Sequence, residues 1–305
     1  MIGAIVGDIA GSRFEFRNNK SRDFDLFVEC RPLSEMKEES LEDALGIMAD
    51  TSTFTDDSVM TLAVAGAIMS WKERSKATYE DLSRLTVESM REFGKMYPLA
   101  GYGGTFDVWL HDETMGAYNS WGNGAAMRVS ACGWAGSTLD EVTAMSRAVT
   151  EVTHNHPEGI KGAEATAVAT FLARTGKSKD EIRAVVVRDY YPLDFTLDEI
   201  RPTYEFDVSC QGSVPQALEA FFESSSFEDA IRNAISIGGD SDTIGAICGA
   251  VAGAFYGVPD DVRAKAETFL TPHLLETLHG FERRFVVEGR GGYDFSPPHR
   301  LTPHP

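Results

Sequence analysis

A chain of 305 residues with 28 Lys+Arg against 47 Asp+Glu carries a formal net charge of −19, which excludes the nonspecific nucleic-acid binding that basic groups drive by neutralising phosphates. Apolar residues at 43% and charged residues at 25% are ordinary for a globular domain with a substantial core, so disorder of the whole chain is excluded too. The carboxylate excess is either a solvated acidic surface or, in part, a set of acids turned inward to hold cations.

In chain order, the N-terminus MIGAIVGDIAG is apolar over only a few residues, lacks a basic start and contains Asp8. It fits neither a secretory signal nor a membrane span, and a cytoplasmic protein without membrane partners is expected. Gly3, Gly7 and Gly11 recur every four residues there, as do Gly245, Gly249 and Gly253 near the other end. If both segments are helices, each carries a glycine stripe on one face. An interior glycine costs about 1 kcal/mol relative to alanine, so two stripes predict two central helices in close backbone contact.

Residues 17–40 are polar without a clear period and read as a mobile surface segment. The run from Val59 to Trp71 is apolar nearly all round and predicts a buried helix. Helix starts are marked by a hydroxyl followed three residues later by an acid at Ser40/Asp43, Thr78/Asp81, Thr138/Glu141, Ser178/Glu181, Thr196/Glu199 and Ser226/Asp229. Only the Glu pairs match the strict capping box. Val185 to Val187 is β-branched but follows a cap, and is read as helical. Strand patterns bounded by hairpin turns are scarce, so the reading is a mostly or wholly α-helical single domain over 1–288, with an extended or frayed tail over 289–305. Cysteines 30, 132, 210 and 248 form no CxxC and read as buried free thiols.

Two segments concentrate oxygen ligands. Thr55, Asp56 and Asp57 stand just before the apolar run, and Asp240, Asp242 and Thr243 stand at a glycine-loosened entrance to the second striped helix. Either cluster alone is an ordinary helix cap. Four acids gathered near a core, however, need cations or shifted pKa values to be tolerable. All the candidate ligands are hard oxygens, which selects Mg²⁺, Mn²⁺ or Ca²⁺, and the ligand count suits a pair of ions.

The set Gly7-Asp8 through Glu15, Thr55-Asp56-Asp57-Ser58, Gly122-Asn123-Gly124-Ala125-Ala126-Met127-Arg128, Thr153-His154 and Gly239-Asp240-Ser241-Asp242-Thr243 resembles the ADP-ribosylglycohydrolase family. The resemblance runs in order from residue 3 to about residue 257. It implies an all-α orthogonal helical bundle with two divalent cations, Mg²⁺ or Mn²⁺, and removal of ADP-ribose from a modified protein or small-molecule acceptor. It makes Thr55, Asp56 and Asp57 metal ligands from one side and Asp240, Asp242 and Thr243 ligands from the other, with Glu15 the catalytic glutamate beside them. Gly101, Tyr102, Gly103 and Gly104, together with Gly122, Asn123, Gly124 and Met127, match the segments that contact ADP-ribose. Glycines there leave backbone amides free to approach a pyrophosphate, which an acidic protein cannot attract through side chains. Asn123 reads equally as a turn residue. His154 matches a position near the adenosine or ribose end, while His156 reads as structural, orienting the loop before a helix over 159–174. Mono-ADP-ribosyl-arginine is the expected substrate. The competing readings are a catalytically silent ADP-ribose binder or structural relative, and a nucleotide-diphosphate phosphohydrolase.

Overall fold

A computed structural model describes residues 1–29 and 50–286, which fold as a succession of helices. In chain order these are α1 (Ile2–Gly11), α2 (Asp56–Lys72), α3 (Tyr79–Met96), α4 (Gly104–His111), α5 (Gly124–Met127), α6 (Ser130–Ala135), α7 (Leu139–Thr150) and α8 (Pro157–Arg174). They continue as α9 (Lys179–Asp189), α10 (Leu197–Ile200), α11 (Cys210–Phe222), α12 (Phe227–Ser236), α13 (Ser241–Tyr256), α14 (Asp260–Glu267) and α15 (Pro272–Phe285). A 3-10 turn, Ser12–Phe14, follows α1. Among the described residues the strand-like pairing is one isolated antiparallel bridge, Gly122 with Ser209.

The two glycine stripes lie against each other. A Cβ added at Gly7 would stand 1.9 Å from the Gly245 carbonyl oxygen, one at Gly3 would stand 2.3 Å from that of Gly249, and one at Gly11 would stand 2.3 Å from that of Ser241. α1 and α13 therefore pack backbone to backbone, and every residue of α1 is buried. α2 and α8, apolar on most faces, complete the interior, while α3, α12 and α15 turn one apolar face inward. A continuous apolar core links all of these helices.

The capped starts appear where the sequence puts them. Thr78, Thr138, Ser178, Thr196 and Ser226 each accept from the backbone amide three residues on. The boxes differ from the Glu rule in detail. Asp81 reaches back to the Thr78 amide at 3.0 Å and closes a reciprocal box, whereas Glu141 accepts from the Ser137 amide at 2.7 Å and pairs with Lys72. Val185 to Val187 lie inside α9. His156 is the N-cap of α8, its Nδ1 accepting from the Glu158 amide at 3.1 Å, and the helix begins at Pro157, two residues before the predicted start. Cys132, Cys210 and Cys248 are buried free thiols.

The described part of the segment read as mobile, residues 17–29, lies at the surface, and some of its polar groups bond to the ends of other elements. Lys20 Nζ donates to the carbonyls of Tyr204 at 2.5 Å and Ile237 at 2.6 Å, and the Asn18 side chain accepts from the Gly239 amide at 3.2 Å. The segment lacks a period because its polar groups serve the ends of other elements, the carbonyl at the end of α12 among them. Residues 30–40, the Ser40/Asp43 pair, Cys30 and the tail over 289–305 lie outside the described residues.

Candidate active site

α1 carries one charged residue into the core. Asp8, fully buried, accepts from the Thr55 amide at 3.0 Å, the Thr55 hydroxyl at 2.6 Å, the Ser58 amide at 3.0 Å and the Ser58 hydroxyl. It thereby holds the start of α2, whose orphan amides would otherwise be unpaired. Thr55 is the N-cap of α2, and its oxygen accepts from the Asp57 amide at 3.3 Å. Sequence reasoning gave Asp8 no role. The available signal was a carboxylate inside an otherwise apolar helix, one residue after a stripe glycine.

α13 supplies the other side. Gly238 and Gly239 adopt φ of 74° and 72°, left-handed backbone that a side chain disfavours, and a Cβ on Gly239 would stand 2.4 Å from the Tyr204 ring. This bend delivers Asp240 to the N-cap of α13, with Asp242 and Thr243 in its first turn. Thr243 Oγ1 donates to Asp57 Oδ2 at 3.1 Å, joining the two oxygen clusters. Carboxylate oxygens of Asp8, Asp57 and Asp242 lie within 4.8 Å of one another, as do those of Glu15, Asp240 and Asp242. Glu15, just past the 3-10 turn, is half-buried.

This concentration of acid is electrostatically unstable by itself. Burial first, and then Asp240 and Asp8, push Glu15 up to about 7. Burial together with Asp8, Asp240 and Glu15 pushes Asp56 up to about 8. Burial also drives Asp57 and Asp242 well above the usual carboxylate range and raises Asp8 and Asp240. Among the described residues no Lys or Arg pairs with any of the six. Asp57 Oδ1 is buried without a hydrogen-bond partner. A buried acceptor facing a ring of hard oxygens fits a divalent cation, which would neutralise the cluster and satisfy that atom.

A cavity of about 480 Å³ is lined by Gly103, Gly104, Gly122, Gly124 and His154 from the sequence-derived set, with Tyr118 and Trp121 among its other walls. The remaining members of the set stand elsewhere. Gly101 and Tyr102 flank Asp56: a Cβ on Gly101 would be 3.7 Å from Asp56 Oδ1, and the buried Tyr102 hydroxyl has no partner. The Asn123 amide donates to Asp240 Oδ2 at 2.7 Å and to Ser213 at 3.1 Å, so both its N–H groups are committed to the protein. Met127 packs under the cluster, its sulfur 3.9 Å from Thr243 Oγ1 and its carbonyl accepting from Thr61. Thr55, Asp57, Asp240, Asp242, Thr243 and Glu15 come together, whereas Asp56 stands beside them outside both carboxylate groupings. The start of α5 thus connects the acid cluster, through Asn123, to the cavity.

The family model of ADP-ribosylglycohydrolase matches residues 1–290. The chain belongs to the ADP-ribosylglycohydrolase family, and it is a glycosidic-bond hydrolase. It is similar to the ADP-ribosylhydrolase ARH3 of Homo sapiens, 27% identical over 92% of this chain and 91% of that protein. It is also similar to the ADP-ribosylarginine hydrolase Tri1 of Pseudomonas putida, 24% identical over 85% of this chain and 70% of that protein. A solved structure titled an ADP-ribosylglycohydrolase-related protein complex shares the fold, with a TM-score of 0.58 and 22% identity over 92% of this chain and 95% of that one. Among the described residues no helix is long and apolar enough to cross a membrane.

Proposed function

We propose that the enzyme hydrolyses the bond between the distal ribose of ADP-ribose and an acceptor arginine, and that it does so with two divalent cations, Mg²⁺ or Mn²⁺. The observation that carries this reading is the convergence of two carboxylate groups sharing Asp242, next to a glycine-walled cavity, with Asp57 Oδ1 buried and unpartnered. Thr55, Asp56, Asp57, Asp240, Asp242 and Thr243 are the residues assigned to hold the cations. Bound there, the cations would supply Lewis-acid polarisation of substrate oxygens.

The chain's own groups do the rest. Cleavage of the glycosidic bond passes through an oxocarbenium-like state that a positioned carboxylate stabilises. Glu15, half-buried with a carboxylate oxygen within 4.8 Å of those of Asp240 and Asp242, is the carboxylate placed to take a proton from the attacking water. Water adds its oxygen to the ribose carbon, and the arginine leaves with the bonding pair and a proton. Gly103, Gly104, Gly122 and Gly124 let backbone amides approach the pyrophosphate, and Asn123 holds Asp240 in place. The name of the Pseudomonas putida relative supports arginine as the acceptor.

The test is product analysis with mono-ADP-ribosylated arginine peptide, with Mn²⁺ or with a chelator. Free ADP-ribose and unmodified peptide are expected, and chelation should abolish both. AMP as the product would replace the reading with phosphohydrolysis, and turnover only of other acceptors would overturn the arginine assignment. Glu15→Gln should lower turnover by about 10²–10⁴-fold while metal content stays near that of the parent.

A further inference from the structure

Behind the cavity wall lies a buried cation that the proposed chemistry does not use. Arg128, 1% exposed, forms no ion pair with a carboxylate among the described residues. Its guanidinium stands 5.7 Å over the Phe106 ring, and its Nη2 donates to Thr153 Oγ1 at 2.7 Å. Thr153 Oγ1 is in turn 2.7 Å from His154 Nδ1. Arginine has only donors, and Arg128 Nη2 also stands 3.5 Å from His154 Nδ1, so Nδ1 takes the acceptor role beside it, and the Thr153 hydroxyl, which accepts from Arg128, turns its hydrogen to Nδ1. Nδ1 therefore accepts, and the proton of the neutral ring sits on Nε2. That atom faces the cavity: Cβ atoms added at Gly122 or Gly124 would each stand 3.5 Å from it, and among the described residues no protein group pairs with it.

We infer that Arg128 and Thr153 are positioning residues which, through a one-way hydrogen-bond relay, lock His154 as an Nε2–H donor directed at an acceptor atom of the bound ADP-ribosyl group. The ligand in this statement rests on the proposed function, but the tautomer does not. The titratable and charged groups around the ring agree with a neutral imidazole. Arg128 repels a charged ring, and with burial, the larger cause, holds His154 well below its ordinary value. Tyr118, whose ring is 5.9 Å away, and Cys210, at the Gly122 carbonyl, are kept protonated by burial. Glu158, at the start of α8, pairs with Lys161 at 2.7 Å. A donor that never switches to a cation makes recognition at this position independent of pH.

The experiment is ¹⁵N NMR on histidine-labelled protein from pH 8 to pH 5.5, with His154 assigned by its loss in His154→Gln, followed by titration with ADP-ribose. The expected signal is the Nε2–H tautomer, unchanged across the range and shifted by ADP-ribose. Thr153→Val should give a mixture of the two neutral tautomers and about tenfold weaker ADP-ribose binding, and Thr153→Ser should restore the parent behaviour. A parent ring carrying its proton on Nδ1, or titrating near 6.5, overturns the relay even if the variants fail to fold. A Thr153→Val protein with an unchanged tautomer also overturns it. An intact tautomer in a protein that binds no ADP-ribose would leave the relay standing and remove the proposed function instead.

Discussion

At the scale of single residues, Asp8 has a consequence that its place in the Gly7-Asp8 motif does not announce. Four donors from Thr55 and Ser58 converge on its carboxylate, so it fixes the geometry of α2 before any cation binds. Asp8→Asn places an amide N–H among those donors, and a loss of about 1–3 kcal/mol is expected in denaturant titration, with weaker metal binding by calorimetry. Asp57→Asn acts differently, because Asp57 Oδ1 has no protein partner to lose. Its folding stability should change little, whereas metal affinity should fall at least about 100-fold. Two tightly bound ions per chain in Asp57→Asn would remove this residue from the ligand set. Asn123 meets partners that its glycine-rich motif does not name. In the sequence it reads as a ligand contact or a turn, but its amide is spent on Asp240 and Ser213, a pairing with partners 117 and 90 residues away.

At the scale of elements, α1 and α13 form one unit. Asp8 follows Gly7 directly, and Asp242 precedes Gly245 by three residues, so the helix contact that excludes every Cβ also sets the distance between the two acid clusters. Gly7→Ala puts a methyl where the Gly245 carbonyl stands, and α1 must move. A loss of about 1–3 kcal/mol or more is expected, accompanied by a large drop in metal affinity. Thr78→Ala removes a cap on α3 at a cost of about 1 kcal/mol, and calorimetry should find its metal affinity close to the parent's. Equal metal affinity in both variants would break the link between the stripe and the site.

At the scale of the whole molecule, the acid cluster couples folding, pH and metal. Glu15 and Asp56 have folded-state values raised to about 7 and about 8, above their ordinary values of 4.5 and 3.8. A raised value contributes stability that is present below the unfolded value and lost as pH rises through the folded one. The metal-free protein should therefore melt at lower temperature at pH 8 than at pH 6. Carboxylates lowered by caps and ion pairs, such as Glu181 at about 2, act in the opposite sense but only in acid, outside this window. Divalent cations bind the ionised ligands, so Mn²⁺ should raise the melting temperature more at pH 8 than at pH 6 and flatten the profile. Scanning calorimetry with and without Mn²⁺ checks this, and a metal effect larger at pH 6 would contradict it. Two bound ions would change the formal charge from −19 to −15 by adding four, so most of the acidic excess remains on the surface.

The all-helical architecture, the capped starts at Thr78, Thr138, Ser178, Thr196 and Ser226, and the meeting of two glycine stripes are all legible in the amino-acid sequence. Each of these is written in local periodicity, a cap three residues from its acid, or a repeat whose cost requires close contact. It also brought forward, through the family resemblance, the six proposed metal ligands and Glu15. What long-range pairing controls is visible only once the chain has folded. Asp8 became the anchor of α2 across 47 and 50 residues, and residues 18–20 became a strap on the bend before α13. Arg128, Thr153 and His154 became a directed relay. A polar side chain takes its role from the partner it meets on folding, and no local pattern records which partner that will be.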